Sequence, residues 1–227
     1  MKKALKIFVA AACLFLGAGV CQAARTTIAT DNFNRASLGA NWTQTDDFNC
    51  APGIQIVSST IIDSSHTGPC SARYTGASFT DQQYSLMALV FFNADNNQRM
   101  GVACLMSPDM NGGQDRYEYT ILDDSGTGTK TTEIAKVVNN TRTVLASSSV
   151  TWSVSDTIEI ECDPTAHTVT GFKNGVQQVQ ATSQTDLTTG LPGVTIMGGY
   201  QGDNWEGGNV SAAAAATPMR TLTGAGI

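Results

Sequence analysis

The sequence predicts an all-β protein, an antiparallel two-sheet β-sandwich of jelly-roll type, on three observations. Runs rich in Val, Ile, Thr and aromatic residues recur about every ten residues, separated by clusters of Gly, Asn, Asp and Ser. Asn174-Gly175 sits between two runs in which apolar and polar residues alternate, the strongest short-range hairpin signal. No stretch of the mature chain carries the apolar period of an amphipathic helix. About a dozen antiparallel strands of this kind close most economically as two stacked sheets.

The elements follow in order. The chain opens MKKALKIFVAAACLFLGAGVCQA, three lysines ahead of an apolar run from Ile7 to Val20 and then small residues. This is the pattern of a secretory signal peptide cleaved after Ala23, so residues 1–23 are expected to leave an exported product, extracellular, periplasmic or on the cell surface. The apolar run is too short for a comfortable membrane span, and no later segment approaches one, so no membrane insertion is expected after cleavage. Residues 24–210 read as one domain. Strands are expected near Thr27–Phe33, Ile54–Val57, Thr60–Ile62, Ser71–Tyr74, Tyr84–Phe92, Arg99–Met106, Tyr117–Leu122 and Thr131–Val137. The series continues near Arg142–Ala146, Thr157–Cys162, Thr168–Lys173, Val176–Ala181, Val194–Gly198 and Asn204–Val210. YSLMALVFF is almost continuously apolar and reads as a strand covered on both faces, whereas TVTGFKNGVQQVQA alternates as strands with one wet face do. Residues 211–227 form an Ala-rich tail, either a frayed terminus or a segment that docks on a partner protein or a second copy through its apolar end, Met219–Ile227.

Charge narrows the partners. Loss of Lys2, Lys3 and Lys6 with the signal leaves 10 basic against 19 acidic residues, a net charge of −9. A chain this acidic, with its basic residues scattered in sequence, excludes nucleic acid as a partner and favours a neutral ligand or a cation. Cys50, Cys70, Cys104 and Cys162 remain, an even number in an oxidising compartment, and read as two disulfides. The favoured pairing is Cys50 with Cys70, closing a short loop, and Cys104 with Cys162, each in a strand-like run. The cysteines lack CxxC spacing, and His66 and His167 are isolated, so no zinc site is expected.

Several stretches carry a resemblance: DNFNRASLGANW at the start, DQQYSLMALVFF followed by RMGVACLMS, the segment KVVNNTRTVLASSSVTWSVSDTIEIEC, the hairpin TVTGFKNGVQQV, and GLPGVTIMGGYQGDNWEGG at the end. In this order they resemble the concanavalin A-like lectin and glucanase superfamily, especially its laminin G-like jelly-roll branch. That fold carries lectins, hydrolases, lyases and adhesion modules, so it implies a fold and not an activity. The resemblance makes a non-catalytic module for glycan or cell-surface polysaccharide the first expectation. A retaining β-glucan hydrolase or a polysaccharide lyase with a degenerate site, and a structural subunit assembling through the tail, are the alternatives.

The superfamily's retaining glucanases place Glu-x-Asp-x-x-Glu on a central strand. The match here runs from Glu118 to Asp123, with Thr120 in place of the middle Asp and Asp123 in place of the last Glu, so Glu118 and Asp123 are the weak catalytic candidates. A second acidic run, Glu159-Ile160-Glu161-Cys162-Asp163, alternates so that Ile158, Ile160 and Cys162 point to the core and the acids outward. The resemblance also implies a structural Ca²⁺ where the first and last strands meet, held by Asp31, Asn34 and Asp203. Tyr117, Tyr119, Tyr200 and Trp205 are the aromatics expected to offer a face to a sugar ring.

Overall fold

A computed structural model describes residues 24–45, 50, 53–63, 68–91, 98–108, 114–123 and 130–211. The stretch read as a signal peptide (residues 1–23), the Ala-rich stretch from residue 212 onward and His66 lie outside the described residues. Fifteen strands follow one another: β1 (Arg25–Asp31), β2 (Trp42–Thr45), β3 (Ile54–Val57), β4 (Thr60–Asp63), β5 (Cys70–Tyr74), β6 (Gln83–Phe91), β7 (Gln98–Pro108), β8 (Gln114–Asp123), β9 (Lys130–Val138), β10 (Thr141–Val150), β11 (Thr157–Asp163), β12 (Thr168–Lys173), β13 (Val176–Thr182), β14 (Leu191–Met197) and β15 (Gln201–Val210). Each expected strand is present, and β2 is an additional one.

The strands form two antiparallel sheets. One runs β13-β12-β11-β6-β15-β4-β3, with β1 also paired to β15; the other runs β10-β9-β8-β7-β14-β5-β2. The first strand thus pairs with the last, Arg25 opposite Val210 through Asp31 opposite Trp205. Turn chemistry closes the hairpins where the sequence places it. Asn174 and Gly175 both take positive φ between β12 and β13, and Asn139 and Asn140 do so between β9 and β10, the backbone that matches a two-residue connection to strand twist.

The core lies between the sheets. Met100, Val102 and Cys104 of β7, Tyr117, Tyr119 and Ile121 of β8, and Val194 and Ile196 of β14 face Met87 and Leu89 of β6 and Ile158, Ile160 and Cys162 of β11. β6 sits between β11 and β15; Met87 and Leu89 are buried on its inner face, but Leu86, Ala88 and Val90 on the outer face are only half-buried and Phe91 is exposed, so the apolar run is covered fully on one face and not on both. The disulfides Cys50–Cys70 and Cys104–Cys162 form as favoured, and the second ties the two sheets together through β7 and β11. Gly171 of β12 has a packing reason. A Cβ there would stand 2.6 Å from the Tyr119 ring, so the glycine lets that ring cross from one sheet onto the other.

Candidate functional site

Where β1 runs out into the loop before β2, a pocket of about 530 Å³ opens at the seam of the sandwich. Thr30, Asp31, Asn32, Arg35, Asn41, Asn204 and Glu206 line it, with Tyr74 and Trp205 from the core side. The lining is rich in amide, carboxylate and guanidinium groups. Asp31 organises one wall: its Oδ1 accepts from Arg35 Nη1 at 2.6 Å and the Phe33 amide at 2.8 Å, and its Oδ2 from Arg35 Nη2 at 2.6 Å and Trp42 Nε1 at 2.7 Å. Burial would raise the Asp31 carboxyl, but the hydrogen bonds from Arg35, Trp42 and Phe33 outweigh it and hold the group below its ordinary value. Arg35 is fixed in turn, donating to the Leu38 carbonyl and lying over the Phe33 ring at 5.7 Å.

This geometry does not fit the expected calcium site. Four N–H donors saturate the Asp31 carboxylate. Asn34 Oδ1 accepts from Ser59 Oγ at 3.2 Å. Asp203 accepts from the Asn204 amide at 2.6 Å and its side chain at 3.2 Å. A cation needs free oxygen lone pairs, and those of Asp31 are turned to donors instead. Among the described residues no group of three or more His, Cys, Asp or Glu side chains could hold a metal.

The four aromatics expected to meet sugar are placed differently. Tyr117, Tyr119, Tyr200 and Trp205 are all at most 1% exposed. Tyr117 and Tyr119 occupy the inward positions of β8, and Tyr117 Oη accepts from the Leu187 amide at 3.4 Å. Trp205 donates to Ser85 Oγ at 2.8 Å, stacks on Tyr74 at 5.0 Å and meets Trp42 edge-on at 4.8 Å. Their ring faces are taken by the core, so none is an open platform for a pyranose. Trp205 does reach the pocket, as part of its lining and from beneath.

The outer face of the seven-stranded sheet carries the position expected to be catalytic. Glu118 is fully buried there. Its Oε1 accepts from Arg142 Nε at 2.6 Å and its Oε2 from Arg116 Nε at 2.9 Å; Arg99 Nη1 lies 3.8 Å from Oε1. Arg142 also holds Glu133 at 2.8 Å and Thr120 Oγ1 at 3.2 Å. Burial would raise the Glu118 carboxyl, but the charges of Arg116, Arg142 and Arg99 reverse this and bring it to about 2. Asp123 ends β8, with its side chain outside the described residues. Glu118 thus has both carboxylate oxygens held by arginines and is shut from solvent, unlike the accessible acid or nucleophile that retaining chemistry uses. The arginines around Glu118 come from β7, β8 and β10, and sequence reasoning missed them as a group. Alternation of Arg116, Glu118 and Thr120 along β8 was the one signal available.

On the outer face of the other sheet the acidic run of β11 points outward as expected, but Glu159 is buried and paired. Arg25 Nη1 donates to it at 2.9 Å and Arg25 Nε to Glu161 at 2.6 Å, while the guanidinium lies over the Phe172 ring at 5.2 Å. Burial, helped by the charge of Glu161, raises the Glu159 carboxyl to about 7 against the pull of Arg25. A carboxyl raised on folding binds its proton more tightly in the native state. Its contribution is complete below the unfolded value of 4.5 and is lost as pH rises through about 7. The thermal midpoint is expected to fall across that interval. Glu159→Gln, permanently neutral, flattens this slope and raises stability at pH 8 by on the order of 2 kcal/mol. Scanning calorimetry of both proteins from pH 5 to 8 checks it, and parallel slopes would rule the assignment out.

No protein-family model and no curated protein matches the sequence. Solved structures do. A Bacillus subtilis protein of unknown function with a galectin-like fold superposes with a TM-score of 0.61 at 9% identity, covering 82% of this chain and 99% of that one. The CBM2 module of the evolved Dit of Lactobacillus casei BL23 phage J-1 gives 0.54 at 8% identity, over 86% and 100%. The Bacillus licheniformis β-glucanase gives 0.52 at 13% identity, over 81% and 98%. With two antiparallel sheets stacked on one core, its first strand paired to its last, and these structures matching most of its length, the chain has the concanavalin A-like sandwich fold.

Proposed function

We propose that the protein is an exported, non-catalytic glycan-binding module whose ligand enters the pocket beside Asp31. The observation that carries this reading is the lining. Asn32, Asn41, Asn204 and Glu206 offer amide and carboxylate groups at one concave place, the donors and acceptors that a sugar's hydroxyls require. Arg35 and Asp31 form its pre-organised wall. Two disulfides suit an oxidising compartment, and carbohydrate-binding modules and lectin domains are among the structures of the same fold. The hydrolase alternative is weakened by Glu118, which is shut from solvent with both oxygens held by arginines. A general acid must instead carry a raised pKa and reach the glycosidic oxygen.

A glycan array is expected to show binding that Asn41→Ala lowers about tenfold, as losing a hydrogen bond to bound sugar does. Asn41 is exposed, so the melting temperature stays within the small range of surface substitutions. Because the calcium residues do not fit a cation, binding persists in EDTA. A flat array across neutral and acidic polysaccharides would sink the reading.

A further inference from the structure

The net acidity of the chain leaves a neutral ligand or a cation open, and the charges at the seam pocket decide between them. Three charged side chains line it, Asp31, Arg35 and Glu206. Asp31 and Arg35 cancel, because two guanidinium-to-carboxylate hydrogen bonds of 2.6 Å close the pair on itself. Glu206 has no such partner. Its Oε1 accepts from Thr27 Oγ1 at 2.8 Å and from the Tyr84 hydroxyl, both neutral donors. Among the described residues nothing donates to its Oε2. Two carboxylates against one guanidinium leave the lining with one net negative charge, and that charge is Glu206.

The backbone builds this placement. Asp203 stands opposite Ala88 and Glu206 opposite Leu86, so β15 carries one residue more than β6 over the same interval. Asn204 takes positive φ in this bulge and is exposed. Glu206 follows it, opposite Thr30 near the end of β1, and both Asn204 and Glu206 line the pocket. The surrounding field has the same sign. Glu206 lies near enough to Glu159 to help raise that carboxyl, and Arg25, the guanidinium beside them, is committed to Glu159 and Glu161.

A calcium ion asks for six to eight oxygens, and one carboxylate does not supply them. An ammonium group is a point charge with three N–H donors, which suits a lone carboxylate oxygen flanked by amide groups such as those of Asn41 and Asn204. The apolar walls, Tyr74 and Trp205, are 8% and 1% exposed, so little apolar surface is open to the alkyl stem of a lysine. An amine carried on a hydroxyl-rich ring matches the lining better. We infer that the pocket takes a glycan with an unacetylated amino sugar, its ammonium paired with Glu206 and its hydroxyls with the asparagines. The saccharide part rests on the glycan-binding reading of the pocket above; the amine is what the charges add.

Titration calorimetry of the protein with three tetrasaccharides tests it: a β-1,4-linked glucosamine tetramer, the same tetramer fully N-acetylated, and cellotetraose. They share a backbone and carry an ammonium, an acetamide or a hydroxyl at carbon 2. The glucosamine tetramer is expected to bind about tenfold more tightly than the other two, the value of a charge-assisted hydrogen bond. The difference narrows as salt rises. Glu206→Gln keeps an acceptor for Thr27 and Tyr84 and lowers the glucosamine tetramer to the affinity of cellotetraose, whereas Asn41→Ala lowers every tetramer. The ligand comparison uses the unaltered protein, so it decides the matter even where the Glu206 variant folds poorly. Equal affinity for the three tetramers would overturn the inference, as would a preference for the amine that survives Glu206→Gln. Tetralysine bound as tightly as the glucosamine tetramer, and lost in the same variant, would overturn it in favour of a basic peptide. Failure of the glucosamine tetramer to bind would overturn it too: the pocket survives if the glycan array still responds to Asn41→Ala, and both readings fall if it does not.

Discussion

Glu118→Gln is expected to destabilise the protein by about 3–5 kcal/mol. In the native state the carboxylate is fully buried and neutralises a cluster of three guanidinium groups, with Arg116 at 2.9 Å, Arg142 at 2.6 Å and Arg99 at 3.8 Å. A neutral amide keeps the shape and an acceptor, but it leaves those charges desolvated with only Glu133 nearby as a counter-ion. The pH dependence has a definite sign. A carboxyl lowered to about 2 contributes its stability above the unfolded value of 4.5 and loses it as pH falls through about 2. Wild type therefore weakens below pH 4.5 more steeply than Glu118→Gln does. Urea unfolding at pH 7 and pH 3 measures both effects. A catalytic Glu118 would behave in the opposite way, since the variant would fold normally and lose only activity; unchanged stability at pH 7 would defeat the structural assignment.

Trp205→Ala is expected to cost a similar amount, about 3–5 kcal/mol. The ring is 1% exposed, packs against Tyr74 and Trp42, and has its indole nitrogen bonded to Ser85. Removing it opens a cavity between the sheets and leaves the Ser85 hydroxyl without its donor. It also loosens the seam, because Trp205 stands opposite Asp31 in the β1–β15 pair and Asp31 is held by Trp42. Trp205→Phe retains most of the packing and is expected to lose about half as much. A sugar-stacking tryptophan would show the reverse pattern, a collapse of glycan affinity at unchanged stability. Thermal melts and the glycan array on the same two variants separate these outcomes.

Both experiments concern positions that look functional in the sequence and turn out to be structural, and the reason is common to them. Within one strand, alternation says which residues share a face, and this placed Ile158, Ile160 and Cys162 inward and Glu159 and Glu161 outward without error. Alternation does not say which face is covered. Tyr117 and Tyr119 share one face of β8 and Glu118 the other, but only the stacking of the second sheet, with Gly171 making room for Tyr119, decides that the tyrosines are core. The Asp31 motif is similar. Its acid and amides were visible as a closing seam, whereas the bidentate grip of Arg35 and the indole of Trp42 depend on how the intervening loop folds back.

The sequence by itself determined what short-range physics controls: the β class, nearly every strand, the Asn-Gly and Asn-Asn hairpins, and the number of disulfides, while the pairing of first strand with last came from the resemblance. These follow from period-two patterning, positive-φ turn residues and cysteine parity, all written within a few residues or in simple counts. Only the tertiary structure decided the chemistry of the surfaces. Arg99, Arg116 and Arg142 lie up to 43 residues apart in the chain (99 to 142), and they gather around Glu118 because β7, β8, β9 and β10 lie side by side in one sheet. Charge, burial and pKa depend on such neighbours across strands, and strand order is a property of the folded sheet that no local stretch encodes.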